Sequence, residues 1–486
     1  MLTVAGKRKN ELLQSPQEKK GWIWVTFGLA VVLGIALAKN LMVGVGLFSC
    51  LVGLAVVLVC ILNAEAGLYI NIVYSFFSFG ASRLFFNDTF PVGVVSNVLI
   101  IGTFLGIFIK KGSNGRAIFS QFSRTAIARS ILAIFFYIML ELFNPLAHSF
   151  DGWYAAIRAL AMTIMLLFAA YAVFDNWRSM RRFIIVVFIF VVIVAIYGCI
   201  QQWHGLFDFE KDWVAADPVR FGLIFIAGDY RKFSTMSDPA GFAIVMACCS
   251  VFFLVLLTGP WRRRLKFLLF TAVCFLLMSM AYSGTRTANA MVLGGIVFFM
   301  LLTINKRSTI IFSAVTVVVF LVLLFGPFSS NPTINRFRTT FTGNQDESYK
   351  VRNINRRSIQ PYIYYHPIGG GLGTTGAYGA ATNPGHFLAG FPTDSGYLKK
   401  ALEVGWIGLF LIVTLYYCVV RAGIRGYFQC RNEKAKNIYA AATCCMFSFY
   451  VAEYAQDAVG QITDIVVYYP MIALILRLKN FEHEIT

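Results

Sequence analysis

Apolar runs of about 20 residues recur along almost the whole chain, each long enough to cross a bilayer as one helix. That repetition excludes most folds before any motif is read. Of the 486 residues, 58% are hydrophobic and 13% charged; a soluble protein carries about 25% charged residues. Fourteen segments qualify as spans: 22–38, 41–62, 67–82, 91–109, 126–146, 156–174, 183–200, 239–258, 266–282, 286–304, 309–327, 403–420, 437–453 and 461–477. The expected fold is an all-α polytopic integral membrane protein with about 14 transmembrane helices.

The charges orient these spans. The first 21 residues are polar and basic, with no short apolar stretch before a small-residue cleavage site, so a cleaved signal peptide is not expected. A net charge of +19 would point to nucleic acid in a soluble chain. Here Lys and Arg gather in alternate connections, as they do on the cytoplasmic side of membrane proteins, and no nucleic-acid partner is expected. Basic connections such as KKGSNGR, NWRSMRR, WRRRLK and RAGIRGYFQCRNEKAK alternate with NDTF, HSFDGW, YSGT and AQDAVG. Both termini are therefore expected in the cytoplasm. Residues 1–21 form a basic tail, and 22–327 hold transmembrane helices with an outer loop at 202–237, where FGLIFIAG lies along the interface. A large outer loop occupies 328–402, further helices 403–477, and a second cytoplasmic tail 478–486.

Nine of the ten cysteines fall within apolar runs and Cys430 lies in a basic loop; none has metal or redox spacing, so they read as small packing residues. No metal and no cofactor is expected.

The stretch Gly371-Leu-Gly-Thr-Thr-Gly376 spells GxGxxG, with Asp394 further on. On the outer side, neither nicotinamide cofactors nor ATP is supplied. A loop of about 75 residues cannot hold a doubly wound sheet, and no Lys-Ser/Thr follows the glycines, so the dinucleotide and phosphate-loop readings fail. Two readings stay open for Gly369, Gly371 and Gly373, with Gly370 and Gly376 beside them. They form an anion- or sugar-lining turn, or they form a hinge.

The outer loop from 328 to 402 breaks the charge pattern. It carries Arg336, Arg338, Lys350, Arg352, Arg356, Arg357, Lys399 and Lys400 against Asp346, Glu347 and Asp394. Such an excess asks for an anionic partner, and Arg suits phosphate. Four more arginines sit near outer span ends. Arg83 and Arg158 read as interfacial, snorkelling side chains. Arg231 and Arg286 join the phosphate candidates, because Arg286 lies in YSGTRTANAMVLGG, where small neighbours permit a recess at the outer mouth.

Four motifs occur in order: RKFSTMSDPAGFA, YSGTRTANAMVLGG, DESYKVRNINRRSIQPYIYYHPIGGGLGTTG and DSGYLKKALEVGWIGLF. Over roughly residues 180–425 the chain resembles the O-antigen ligase and polymerase family. The resemblance implies a GT-C-like membrane glycosyltransferase of the bacterial cytoplasmic (inner) membrane. Such an enzyme moves a glycan from a polyprenyl-diphosphate-linked oligosaccharide donor to a hydroxyl of a glycan or lipid-core acceptor, with a chain-length regulator as a further partner. The family's diphosphate-binding arginines correspond best to Arg231, Arg286 and Arg352, with Arg356 and Arg357 as backups. Ligases of the family usually carry a His where this chain has Asp394, which tilts the expectation towards a polymerase of surface polysaccharide.

In that chemistry, cationic donors stabilise the departing diphosphate, and a base orients the attacking hydroxyl. Asp394 fits the base and also fits a helix N-cap with Ser395. His386, expected in a mobile loop, and His366, expected as a structural aromatic beside Pro367, are its rivals. Tyr362, Tyr364, Tyr365, Tyr378 and Tyr397 could stack on sugars or anchor at the interface. A ligase with the same donor and a flippase for the same lipid remain alternatives. A transporter should show repeated halves and ionisable residues at mid-membrane; no half repeats, and only Glu141 and Arg129 read as lying well inside a span.

Overall fold

Helices occupy every expected segment between residues 41 and 304 and between 403 and 477. The structure is a computed structural model that describes residues 41–305 without 148 and 227, a few positions between 311 and 338, and residues 347–485. The expected span at 22–38, most of that at 309–327 and the start of the outer loop at 328–346 lie outside the described residues. The chain divides into two units, Met1–Val59 and Cys60–Thr486. The described part of the first belongs to one apolar helix, α1 (Leu41–Leu62).

In the second unit Asn63 ends α1 and caps α2 (Ala64–Phe86), its Oδ1 accepting the amides of Glu65 and Ala66. Helix α3 (Val92–Ser123) runs on through KKGSNGR, which was expected as a loop. The break falls inside that stretch: Gly112, with φ 46° and ψ −120°, leaves the helical conformation, and two helices meet there across a kink. Then come α4 (Ala126–Leu140) with a 3-10 turn at Glu141–Phe143, α5 (Phe150–Val173) and α6 (Trp177–Trp203). The loop at 204–238 holds α7 (Asp208–Ala215), α8 (Pro218–Ile224) and a two-residue hairpin, β1 (Phe225–Ile226) with β2 (Asp229–Tyr230), paired Phe225 to Tyr230. FGLIFIAG is thus the end of a short helix plus a hairpin strand, not one interfacial run. The remaining helices are α9 (Pro239–Leu257), α10 (Arg263–Tyr282), α11 (Arg286–Leu302), α12 (Glu347–Tyr365), α13 (Gly376–Thr382), α14 (Gly396–Glu403), α15 (Gly405–Gln429), α16 (Glu433–Ala452) and α17 (Ile462–Arg477).

Among the described residues, seven helices are long and apolar enough to cross a membrane: within α3, α4 with its 3-10 turn, α5, α6, α9, α10 and α15. With the rest they make a multi-pass helical membrane protein. Helix α9 is apolar on every face, and 83% of it is buried, as expected of a central helix. Against it packs α16, whose Ala440, Ala441, Ala442, Thr443, Cys444 and Cys445 are all buried and small enough for close approach. Cys430, expected in an open basic loop, is buried as well.

The loop at 204–238 folds over the end of α2, and this corrects the expectation for Arg83. Its side chain is 2% exposed, lies 4.5 Å from the ring centre of Trp213 and 4.7 Å from that of Phe233, and donates to the Ser234 carbonyl. Arg83 does not snorkel because the loop roofs it.

Candidate functional site

The loop 204–238 meets the turns α2–α3, α10–α11 and α16–α17 at one end of the bundle, where Trp213 reaches Asp88, Arg231 reaches Ser283 and Ser237 reaches Gln461. The sequence assigns this end to the outside.

Arg231 braces one corner. Its Nε donates to the Ser283 carbonyl at 2.9 Å, Nη2 to Thr285 Oγ1 at 2.8 Å and Nη1 to the Leu223 carbonyl at 3.2 Å. The braced turn Ser283-Gly284-Thr285 leads into Arg286, the first residue of α11, with Gly284 at φ 63° making the reversal. Thr285 Oγ1 donates onward to the Pro239 carbonyl at 3.1 Å, tying the corner to the start of α9. The structure therefore brings Arg231 and the Arg286 turn together, and it assigns most of the Arg231 fork to positioning that turn.

A second corner forms around residues 453–461. Ser395 Oγ donates to the Glu453 carbonyl at 3.0 Å, and Arg356 Nη2 donates to the Tyr454 carbonyl at 2.8 Å with its guanidinium 4.5 Å from the Tyr454 ring centre. The segment carrying Asp394 and the helix carrying Arg356 are thus docked on adjacent residues. Arg352 stands one helical turn before Arg356 in α12. Further along, Gln461 Oε1 lies 3.4 Å from Ser237 Oγ, beside Asp238, which caps α9. The 453–461 loop therefore links the Arg356 corner to the Arg286 corner. Next to it Asp464 is fully buried with both carboxylate oxygens unmatched.

The glycine stretch forms a clasp. The amides of Gly370 and Gly371 donate to the carbonyls of Leu402 and Glu403 at 2.8 and 3.0 Å, and that of Gly369 to His366. Gly370 and Gly371 thus satisfy the end of α14 and Gly369 the turn after α12, so none of the three is turned toward an anion. The buried Glu403 carboxylate accepts the Thr375 hydroxyl at 2.5 Å and the amides of Gly373 and Thr375. Gly369 sits at φ 76° with its backbone against Gly405, where a Cβ on either residue would strike the other strand. A Cβ on Gly373 would come within 2.7 Å of the Gly152 Cα at the start of α5. These glycines allow main chain to lie on main chain.

The two histidines and Asp394 are separated by this geometry. His386 is not in an open loop: it is 9% exposed, and its Nδ1 accepts the Leu388 amide at 3.0 Å. A neutral ring held so carries its proton on Nε2 and presents a donor there, not a basic nitrogen. His366 stacks on Tyr362 with ring centres 3.9 Å apart, a structural aromatic. Asp394 is half-buried, and it is Ser395, not Asp394, that caps α14 by accepting the Leu398 amide. Arg357 is exposed on α12.

Lys399 and Lys400, counted among the unbalanced charges of the outer loop, have partners that the sequence does not reveal. Lys399 Nζ lies 2.8 Å from Asp457 Oδ2, and Lys400 bridges Glu453 at 2.5 Å and Asp457 at 3.2 Å. Burial pulls the Lys400 ammonium down, but Glu453 and Asp457 outweigh it and hold it above the ordinary lysine value. Burial pushes the Asp457 carboxyl up, and the two lysines more than reverse this, holding it below the usual range. For Glu403, burial wins over Lys399 and the Thr375 hydrogen bond, and its carboxyl is raised. Glu403, Glu453 and Asp457 were missed because nothing local marks them; a Glu at a helix end and an Asp in a short turn look like ordinary surface acids. Among the described residues no group of three or more His, Cys, Asp or Glu could hold a metal ion.

Fold and site define a class: a multi-pass helical membrane protein with two polar corners, around Arg286 and around residues 453–461, at one end of the bundle. Residues 271–413, from α10 through the glycine clasp into α15, match the family model described as O-antigen ligase. The match makes this stretch similar to the O-antigen ligase family and supports a role in glycan transfer at a membrane. No curated protein matches the chain. The matched stretch holds Arg286, Arg352, Arg356, the glycines, Asp394 and Glu403; Arg231 and the 453–461 loop lie outside it and complete the two corners.

Proposed function

We propose that this protein polymerises surface polysaccharide, transferring a glycan from a polyprenyl-diphosphate donor to a sugar hydroxyl on the outer face of a bacterial cytoplasmic membrane. The observation that carries the reading is the Arg231 brace on the turn of Arg286. It fixes a guanidinium-bearing helix start, where the helix dipole adds to the attraction for phosphate. Arg286, with Arg352 and Arg356 on the facing loop helix, stabilises the charge that grows on the diphosphate as the glycosidic bond breaks. Asp394 takes the proton of the attacking hydroxyl, and the Arg356–Tyr454 and Ser395–Glu453 bonds hold acid and arginine on one support. The atoms balance: the acceptor oxygen gains the sugar, the diphosphate leaves with the bonding pair, and the proton passes to Asp394.

The second reading is ligation to a lipid core. The description of the matching family model favours it; the Asp394 in place of a His favours polymerisation. Incubating the purified protein with a polyprenyl-linked oligosaccharide and sizing the products decides. A ladder supports polymerisation, a single transfer onto a core lipid supports ligation, and accelerated flipping with no product overturns both.

A further inference from the structure

A cavity of about 300 Å³ opens between α3, α5 and the start of α17, lined by Ser96, Asn97, Arg158, Thr163, Gly460 and Ile462 among others. Arg158 stands a little over two turns into α5, about 12 Å along its axis from Phe150, inside an otherwise apolar span. Its guanidinium lies 5.8 Å from the Tyr154 ring centre and makes no ion pair or hydrogen bond among the described residues. A lone arginine among lipid-facing residues is costly unless a counter-charge meets it.

Two further features of the same cavity point to that counter-charge. Ser96 is 2% exposed yet has no hydrogen-bond partner among the described residues, so its hydroxyl is a donor held for something in the cavity. The helices α3 and α17 both begin at its rim without a side-chain cap, and the first turn of α17 holds the buried Asp464. The positive end of the α3 dipole favours an anion there. One cation, two neutral side-chain donors and the α3 start, in a cavity that reaches into an apolar span, match the phosphate of a lipid headgroup.

We propose that this cavity binds the phosphate of a second lipid, the one that bears the acceptor. The proposal rests on the transferase reading only for the word acceptor; the phosphate site stands on the geometry. It lies beside α17, whose preceding residue Gln461 also reaches Ser237 of the Arg286 corner, so donor and acceptor lipids would flank one helix start.

The test uses the full-length protein purified in detergent, with lipid retention read by native mass spectrometry. Phosphatidic acid is the probe, phosphatidylcholine the neutral comparison and inorganic phosphate the competitor. Wild type should retain phosphatidic acid at least tenfold better than Arg158→Ala, with Arg158→Lys in between and phosphatidylcholine unchanged. Arg158 is exposed, so the variant keeps the core intact; Asn97→Ala, a milder change in the same cavity, should lower retention in the same direction. Equal retention by Arg158→Ala overturns the site, and full displacement by inorganic phosphate reduces it to an adventitious ion only. In transfer assays Arg158→Ala should raise KM for the lipid-linked acceptor and leave that for the donor unchanged. If wild type yields no product, the transferase reading fails while the retention experiment still judges the cavity.

Discussion

The hydroxyl of Thr375 donates to the buried carboxylate of Glu403 across 2.5 Å. This bond closes the clasp between the glycine stretch and α14, and it binds the segment of Asp394 to a fixed support. Thr375→Val should leave a buried carboxylate short of one donor and cost about 1–3 kcal/mol, read as a lower unfolding temperature in detergent. Glu403→Ala should cost more, since the amides of Gly373 and Thr375 lose their acceptor as well.

Arg286→Ala and Arg352→Ala should each lower glycan transfer at least 100-fold, about 2.7 kcal/mol of lost transition-state stabilisation, while membrane insertion stays intact. Arg231→Lys should fail to restore activity, because an ammonium cannot make the forked bonds to Ser283 and Thr285. Near-normal chain lengths in Arg286→Ala would remove the diphosphate clamp.

Asp394→Asn should abolish most turnover without changing the unfolding temperature. His386→Ala should do the opposite, losing roughly 1–3 kcal/mol of stability while folded molecules keep their rate. The reverse pattern in a paired kinetic and thermal measurement would reassign the base.

The Lys400–Asp457–Glu453 cluster sets a pH window. Asp457 is held below its ordinary 3.8, so its contribution is present above that pH and is lost as pH falls through the lower folded value. Lys400 is held above 10.5, so its contribution is present below that pH and is lost as pH rises through the higher folded value. The stability difference between wild type and Asp457→Asn should therefore stay level across neutral pH and shrink in acid. A difference that instead grew in acid would contradict the pairing.

Trp213→Ala should unroof Arg83 and free Arg220, whose guanidinium lies 4.2 Å from the same ring centre. The expected result is faster proteolysis of the loop at 204–238, with the helices behind it protected.

Helices were legible because a bilayer fixes how long an apolar run must be, and the runs of 239–257 or 177–203 satisfy that length alone. The matched motifs carried Arg286 and the glycines to one region of the chain. What stayed hidden depends on contacts between distant segments. Arg83 and Ser234 are separated by 151 positions, and Lys399 and Asp457 by 58. No local pattern tells a roofed arginine from a snorkelling one, or a paired lysine from a free one. The glycines were read for the conformations they permit, whereas their use here is the bare contact of one main chain with another.

That contact at Gly369 and Gly405 has a mechanical result. With no side chain between them, the two strands cannot slide or part by small steps, so the clasp and the start of α15 travel as a single rigid piece. Any opening in this region must then come from the segments around that piece, such as α12, which leans on Tyr454 through Arg356.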